Sequence, residues 1–206
     1  MKFAILHVIF IFLIRLSCYG QNEHLKPSNF NEDVPVLKTY YGNLFPLLYK
    51  GFTDKPYARY TYIPSFSSEF AFSVEQKNDQ YFIISNSLSK SYWYSKDKKR
   101  VKVRPTSTEI DEQLFKAIGE LFQLVAKQIK KPEKEVLGLD GATHYFASSD
   151  NNGEIKMGET WSPDANSPMG RLVKICNSLF LIGKGKDIAQ SEVQTDIKSL
   201  VADLQK

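Results

Sequence analysis

Hydrophobic and polar positions alternate along residues 57–104, in short runs separated by residues typical of turns. Apolar or aromatic side chains recur at every second position at Tyr60 and Tyr62, at Phe70, Phe72 and Val74, at Tyr81 and Ile83, and at Val101 and Val103. This period of two predicts β-strands that place one face on a core. Residues 77–79 and 96–99 supply turns between the runs, so we predict an antiparallel sheet.

Helical spacing replaces this alternation in the other parts of the chain. Residues 106–131 carry apolar side chains at intervals of three and four, and the opening Thr-Ser-Thr-Glu is typical of a capping box. Ser167 and Pro168 open a second predicted helix that ends before Gly183. Residues 193–204 predict a third, amphipathic helix, and residues 44–48 predict a short one with Pro46 near its first turn.

Two further hairpins are predicted between the helices. Asp140-Gly141 would join a strand at 136–139 to one at 143–148, and Asn152-Gly153 would join that strand to residues 155–161. The order of elements shows no strict βα alternation and no glycine-rich phosphate-binding turn. We therefore predict an α+β fold, in which an antiparallel sheet of about five to seven strands is covered by two or three helices.

The first 20 residues have the pattern of a cleavable signal peptide. Lys2 precedes an apolar run at residues 3–14, and the small residues Cys18 and Gly20 occupy the two positions that a signal peptidase reads. We predict cleavage after Gly20 and export to the periplasm or the medium. The run is shorter than the roughly 20 apolar residues of a spanning helix, so we expect no transmembrane segment in the mature chain. Cys18 offers a lipoprotein alternative, which Arg15 three positions earlier disfavours.

The remaining chain is long enough for one domain. Residues 21–35 are polar and predict a flexible leader, and residues 36–206 predict a single α+β domain. After cleavage Cys176 is the only cysteine, so no disulfide can form within the chain. The sequence leaves open whether Cys176 pairs between chains, and it leaves the oligomeric state open.

The charge of the chain is nearly balanced, with 27 basic and 23 acidic residues and a net charge of +4. A balance so small and so evenly spread does not indicate a nucleic-acid partner. The densest basic stretch lies beside three consecutive aromatic residues and comprises Lys96, Lys98, Lys99, Arg100, Lys102 and Arg104. It fits either an anionic ligand or a solvated hairpin whose charges prevent edge-to-edge aggregation.

Candidate catalytic residues are few. Cys176 and His144 could form a nucleophile and base, but Cys176 lies on an apolar helical stripe, which favours a buried thiol. Ser162 lacks the Gly-x-Ser-x-Gly setting of an exposed serine nucleophile, and residues 150–161 lack the glycine and glutamate of a calcium-binding loop. We predict no catalytic constellation, no metal site and no cofactor.

One segment of the final third of the chain resembles a pattern found in small uncharacterised exported bacterial proteins. Residues 140–146 read Asp-Gly-Ala-Thr-His-Tyr-Phe, and residues 160–163 read Thr-Trp-Ser-Pro. The pattern they resemble is Asp-Gly-x-x-Tyr-x-Phe followed by Thr-Trp-Ser-Pro and a helix. The resemblance implies export and no particular activity.

The abundance of amphipathic aromatic rings favours a binding surface over an enzyme. We predict an exported, non-enzymatic domain that binds a protein or a carbohydrate. The expected ligand-binding residues are Tyr92, Trp93, Tyr94, Tyr145 and Trp161.

Two alternatives come from other classes of function. A hydrolase could assemble Asp140, His144 and Glu159 across the hairpins of residues 140–161. A structural component of the cell envelope would bind a large assembly and no small ligand.

Overall fold

The computed structural model of this chain describes residues 23–28, 30, 34–132, 140–150 and 152–206. Within these residues, seven strands form one antiparallel sheet that four α-helices cover, which confirms the predicted α+β class. The strands are β1 (Lys26–Pro27), β2 (Ala58–Pro64), β3 (Phe70–Lys77), β4 (Gln80–Leu88), β5 (Val103–Ile110), β6 (Ala142–Ser149) and β7 (Ile155–Trp161). The helices are α1 (Pro35–Leu48), α2 (Glu112–Lys127), α3 (Pro168–Gly183) and α4 (Gln190–Leu204), with a 3₁₀ turn over Lys98–Arg100.

The strand order is β1-β7-β6-β2-β3-β4-β5. The β3–β4 hairpin turns through Asn78 and Asp79, whose φ angles of 49° and 66° are those of the type I′ turn that matches strand twist. The predicted β6–β7 hairpin is confirmed, and there the Asp150 carboxylate accepts hydrogen bonds from the backbone of Asn152 and Glu154, each at 2.9 Å. The strand predicted at 136–139 lies outside the described residues.

The predicted start of α2 at residue 106 is wrong. Residues 106–109 pair with β4 instead, because threonine favours the extended strand and β4 offers a partner for it. Asp111 caps the helix, and its carboxylate accepts a hydrogen bond from the Leu114 amide at 2.7 Å. Pro105 fits here because β5 lies at the edge of the sheet.

The structure also changes the N-terminal part of the prediction. α1 begins with Pro35 in its first turn and carries Pro46 in its last, so the helix is longer than predicted and Pro46 is at its other end. Leu25 is buried in the core, and Lys26 pairs with Glu159 of β7. Part of the segment predicted as a flexible leader is therefore attached to the domain, because Leu25 lies in the core and Lys26–Pro27 form an edge strand.

Strand alternation divides the interior into two cores. Tyr60, Phe72, Ile83 and Phe146 point toward α2, α3 and α4, whose apolar stripes complete the larger core. Side chains at alternate positions point toward α1 and form the smaller core, which includes Ile63, Ala71, Leu88 and Tyr145. The sheet is therefore covered by three helices on one face and by α1 on the other.

Candidate functional site

Three exposed aromatic rings lie together at one end of the sheet. Trp93 and Tyr94 are 42% and 57% exposed in the loop that joins β4 to β5, and Phe66 is 71% exposed in the loop that joins β2 to β3. The rings of Phe66 and Tyr94 stack with their centroids 6.5 Å apart and their planes 12° apart. We call Phe66, Trp93 and Tyr94 the aromatic patch. Exposed apolar clusters are common at interaction sites, which makes the aromatic patch a candidate.

A buried carboxylate fixes the loop that carries Trp93 and Tyr94. Glu69 is 1% exposed, and its carboxylate accepts hydrogen bonds from the Tyr92 amide at 2.8 Å, the Trp93 amide at 3.3 Å and the Tyr40 hydroxyl at 2.7 Å. Burial and the bond to Glu69 raise the pKa of Tyr40 well above its usual value, so Tyr40 stays a donor. Hydrogen bonds to a charged acceptor are among the stronger ones in proteins, so Glu69 holds the loop backbone in place.

The same loop is braced from its other side. The Lys98 ammonium donates hydrogen bonds to the carbonyl oxygens of Tyr92 and Trp93 and lies 5.0 Å from the centre of the Tyr92 ring. Tyr92 and Trp93 both contact the ring of Tyr40 on α1, at centroid distances of 6.0 and 5.0 Å. Tyr92 is half-buried and acts as an anchor for its exposed neighbours.

The loop of residues 89–102, which we call the basic loop, carries two rings of the aromatic patch together with a concentration of positive charge. It holds six basic residues, Lys90, Lys96, Lys98, Lys99, Arg100 and Lys102, all of them exposed. Its one acidic residue, Asp97, caps the 3₁₀ turn through the Lys99 amide at 3.1 Å and pairs with Arg100 at 3.2 Å. A cationic loop that carries exposed apolar rings favours an anionic partner.

Tyr145 does not join this surface. Tyr145 is 3% exposed and packs among the rings of Phe30, Tyr41 and Phe45 beneath α1, where burial raises the pKa of its hydroxyl. Tyr145 lies one position later than the tyrosine of the pattern that the segment resembles, and strand alternation places it in the smaller core. Trp161 is partly buried at the end of β7, where its ring lies against Gly141, and Gly141 is hydrogen-bonded to Ser65 at the start of the loop that carries Phe66.

Sequence reasoning missed two residues of this site, Phe66 and Glu69. Phe66 had a weak signal, since it is a lone aromatic residue among serines between two strands. Glu69 had none, because a single glutamate before a strand is ordinarily exposed. Only the pairing of β3 with β4 brings Glu69 to the start of the basic loop.

Two residues of the hydrolase alternative, Glu159 and His144, lie on opposite faces of the sheet. Glu159 pairs with Tyr145 on the α1 side of the sheet and forms an ion pair with Lys26 at 3.1 Å. His144 lies on the opposite side, where its Nδ1 atom is bonded to the Tyr60 hydroxyl at 2.7 Å. Cys176 is completely buried, and burial raises the pKa of its thiol, which opposes formation of the nucleophilic thiolate.

Comparison with known proteins gives no further guide. The chain matches no protein family, no curated protein and no solved structure. Across the described residues, no three histidine, cysteine, aspartate or glutamate side chains lie close enough to hold a metal ion. In the same part of the chain, no helix is long and apolar enough to cross a membrane. The functional argument therefore rests on the geometry of the site.

Proposed function

We propose that this chain is an exported, non-enzymatic binding domain whose aromatic patch and basic loop bind another protein. The observation that carries the proposal is the fixed presentation of the patch. Trp93 and Tyr94 are exposed, yet the backbone beneath them is held by Glu69 and Lys98. A loop held in one conformation loses little entropy when it binds.

The side chains around the patch favour a protein over a carbohydrate. Aromatic and arginine side chains dominate the energetic centres of protein interfaces. Neutral sugars present hydroxyl groups that need acceptors as well as donors, and the only carboxylate of the basic loop, Asp97, is occupied by its own turn. The partner we expect carries acidic residues around an exposed apolar side chain.

Site-specific crosslinking tests this proposal in the full chain. A photoreactive phenylalanine analogue at Phe66, in protein expressed in its own host, should crosslink to a protein whose purified form binds the unmodified chain. Trp93→Ala combined with Tyr94→Ala should weaken that binding by about 30-fold or more, as loss of an interface centre does. Raised salt should weaken this binding as well, because the basic loop is charged.

A matched control comes from Ile155, which is 46% exposed on β7 and far from the patch in strand order. Ile155→Ala should leave the affinity unchanged. A partner that binds the double variant as tightly as the unchanged chain would overturn the placement of the site. Crosslinking to an anionic glycan with no protein adduct would overturn the choice of partner.

Export is supported by the pattern of residues 1–20, with Lys2, the apolar run at 3–14 and Gly20. An intact mass that matches residues 21–206, in the soluble envelope or medium fraction of the native host, is the expected result. A mass that matches a chain starting at Cys18 with added acyl groups would show that the protein is a lipoprotein instead. An uncleaved chain in the cytoplasm would overturn export.

A further inference from the structure

A separate concave site lies between the end of the β6–β7 hairpin and α3. Its volume is about 520 Å³, within the range of cavities that hold small molecules. His144 of β6 lines one side together with Ser162, Pro163 and Ala165, and α3 lines the other with residues that include Val173, Lys174 and Leu181. None of the residues that line this cavity belongs to the aromatic patch or to the basic loop. We call it the His144 cavity.

His144 presents one nitrogen atom to this cavity. The side chain belongs to a residue only 5% exposed, and Nδ1 is bonded to the Tyr60 hydroxyl. Within the described residues, Nδ1 is the ring nitrogen that has a hydrogen-bond partner. Nε2 is therefore the nitrogen left for a ligand in the cavity that His144 lines. A buried polar ring with one free nitrogen facing a cavity is suited to a ligand.

The bond to Tyr60 determines which nitrogen carries the proton. Tyr60 is completely buried, and burial raises the pKa of its hydroxyl, so the phenol keeps its proton. Its hydroxyl has one proton to give, and among the described residues His144 Nδ1 is the acceptor within reach. Burial lowers the pKa of His144 to about 4, so the ring is neutral at neutral pH and Nε2 carries its hydrogen. The cavity is therefore offered an N–H donor.

The other lining residues complete the chemistry. Lys174 contributes a positive charge, and no lining residue is acidic. Pro163, Val173 and Leu181 contribute apolar surface, and Leu181 is 40% exposed. Ser162, at the mouth, has a φ angle of 36°, a strained conformation of the kind that gathers at ligand sites.

We propose that the His144 cavity binds a small amphipathic carboxylate. The carboxylate accepts a hydrogen bond from His144 Nε2 and pairs with the Lys174 ammonium, and the hydrocarbon part lies against Pro163, Val173 and Leu181. Lys174 is the one cation among the lining residues and balances a single negative charge, whereas a doubly charged phosphate would keep one charge without a counter-ion there. This binding is independent of the protein partner proposed above.

The first test uses hexanoate as the probe and hexan-1-ol as its uncharged control. Hexanoate added to the ¹⁵N-labelled full chain should shift the imidazole signals of His144 in a saturable manner. His24, the only other histidine beyond residue 20, provides an internal reference that should not move. Hexan-1-ol should bind at least about tenfold more weakly, because it cannot pair with Lys174. Equal affinity for the two probes, or no shift of His144, would overturn the proposal.

Two variants test the assigned contacts. Lys174→Met should weaken hexanoate binding by about tenfold, and the exposed Lys198→Met on α4 should leave it unchanged. His144→Asn keeps a polar atom near Tyr60 but lacks Nε2, so it should abolish saturable binding while the chain stays folded. If His144→Asn does not fold, the test rests on the affinity of Lys174→Met for hexanoate compared with that of the unmodified chain. Unchanged affinity in Lys174→Met would contradict the proposed site.

Discussion

The two faces of the sheet are built from the same strands but differ in chemistry. The face beneath α2, α3 and α4 is filled with aliphatic and phenylalanine side chains, and His144 with Tyr60 is its main polar pair. The face beneath α1 holds packed aromatic rings and buried hydrogen-bonded groups, including Tyr40 with Glu69 and Ser73 with Glu75. Apolar contacts stabilise a fold without fixing particular atoms, whereas hydrogen bonds are directional and fix positions. The face beneath α2, α3 and α4 therefore stabilises the fold, and the face beneath α1 positions the basic loop.

Several polar groups of the α1 face are hydrogen-bonded to nearby residues, whereas Arg59 Nε and Asn86 Oδ1 are buried without a hydrogen-bond partner among the described residues. Arg59 is buried, donates a hydrogen bond to the Thr53 carbonyl oxygen and lies 4.6 Å from the centre of the Tyr49 ring. Glu75 accepts hydrogen bonds from the Ser73 hydroxyl at 2.6 Å and from the Thr53 amide at 3.2 Å. Asn86 donates to the carbonyl oxygens of Leu48 and Lys50 and holds the end of α1 against the sheet.

The contrast is sharpest at two neighbouring residues of β6 that point to opposite faces. Phe146→Ala should lower the free energy of unfolding by about 3–5 kcal/mol, because it opens a cavity beneath α2. Tyr145→Phe should cost about 1 kcal/mol, since it removes only the hydroxyl that donates to Tyr41 at 3.3 Å. Urea unfolding measures both. Equal losses would show that the two cores contribute alike.

A second prediction concerns the polar pair of the larger core. The pKa of His144 is lowered from 6.5 to about 4 by burial, so the unfolded chain takes up a proton at a higher pH than the folded one. Stability should therefore fall as the pH drops from 6.5 toward 4, by up to about 3 kcal/mol. His144→Asn should lose this part of the pH dependence. A wild-type stability that stays level across this pH window would contradict it.

The buried carboxylate of the α1 face gives a third prediction. Glu69→Gln should lower stability by about 1.5–3 kcal/mol, because charge-assisted hydrogen bonds to Tyr92, Trp93 and Tyr40 are weakened. Hydrogen exchange at the Tyr92 and Trp93 amides should accelerate before the chain unfolds globally. Glu109→Gln, at an exposed position on β5, is the control and should leave both measurements unchanged. Unaltered hydrogen exchange at these amides in Glu69→Gln would show that Glu69 does not hold the basic loop in place.

The smallest effect on stability is expected at the N-terminal caps of α2 and α3, two of the helices that cover the larger core. Asp111→Ala and Ser167→Ala each remove one side-chain acceptor, for the amides of Leu114 and Gly170 at 2.7 and 3.0 Å. Each should cost about 1 kcal/mol in a thermal or urea experiment, well below the loss at Phe146. A much larger loss at either cap would mean that the helices, rather than the apolar core, determine the stability of this face.

The candidate site was only partly open to prediction from sequence. Tyr92, Trp93 and Tyr94 stood out because aromatic residues adjoin a basic run, and all three lie at the site. Tyr145 was expected at the surface and lies in a core, because a tyrosine on a strand can face either side and one position decides which. Phe66 and Glu69 belong to another loop, which strand pairing brings beside the basic loop.

What the sequence determined by itself were the elements whose signals are local. The β6–β7 hairpin follows from its Asn-Gly turn, and the start of α3 follows from Ser167 and Pro168, since cap and turn residues act within a few positions of the chain. The elements that depend on pairing between segments distant in the sequence were decided only by the tertiary structure. Residues 106–109 became a strand because β4 lies beside them, and Leu25 joined the core because β7 accepts an edge strand. Hydrogen bonds and burial between distant segments outweigh local preference at these places, because local preference amounts to only a few tenths of a kcal/mol per residue.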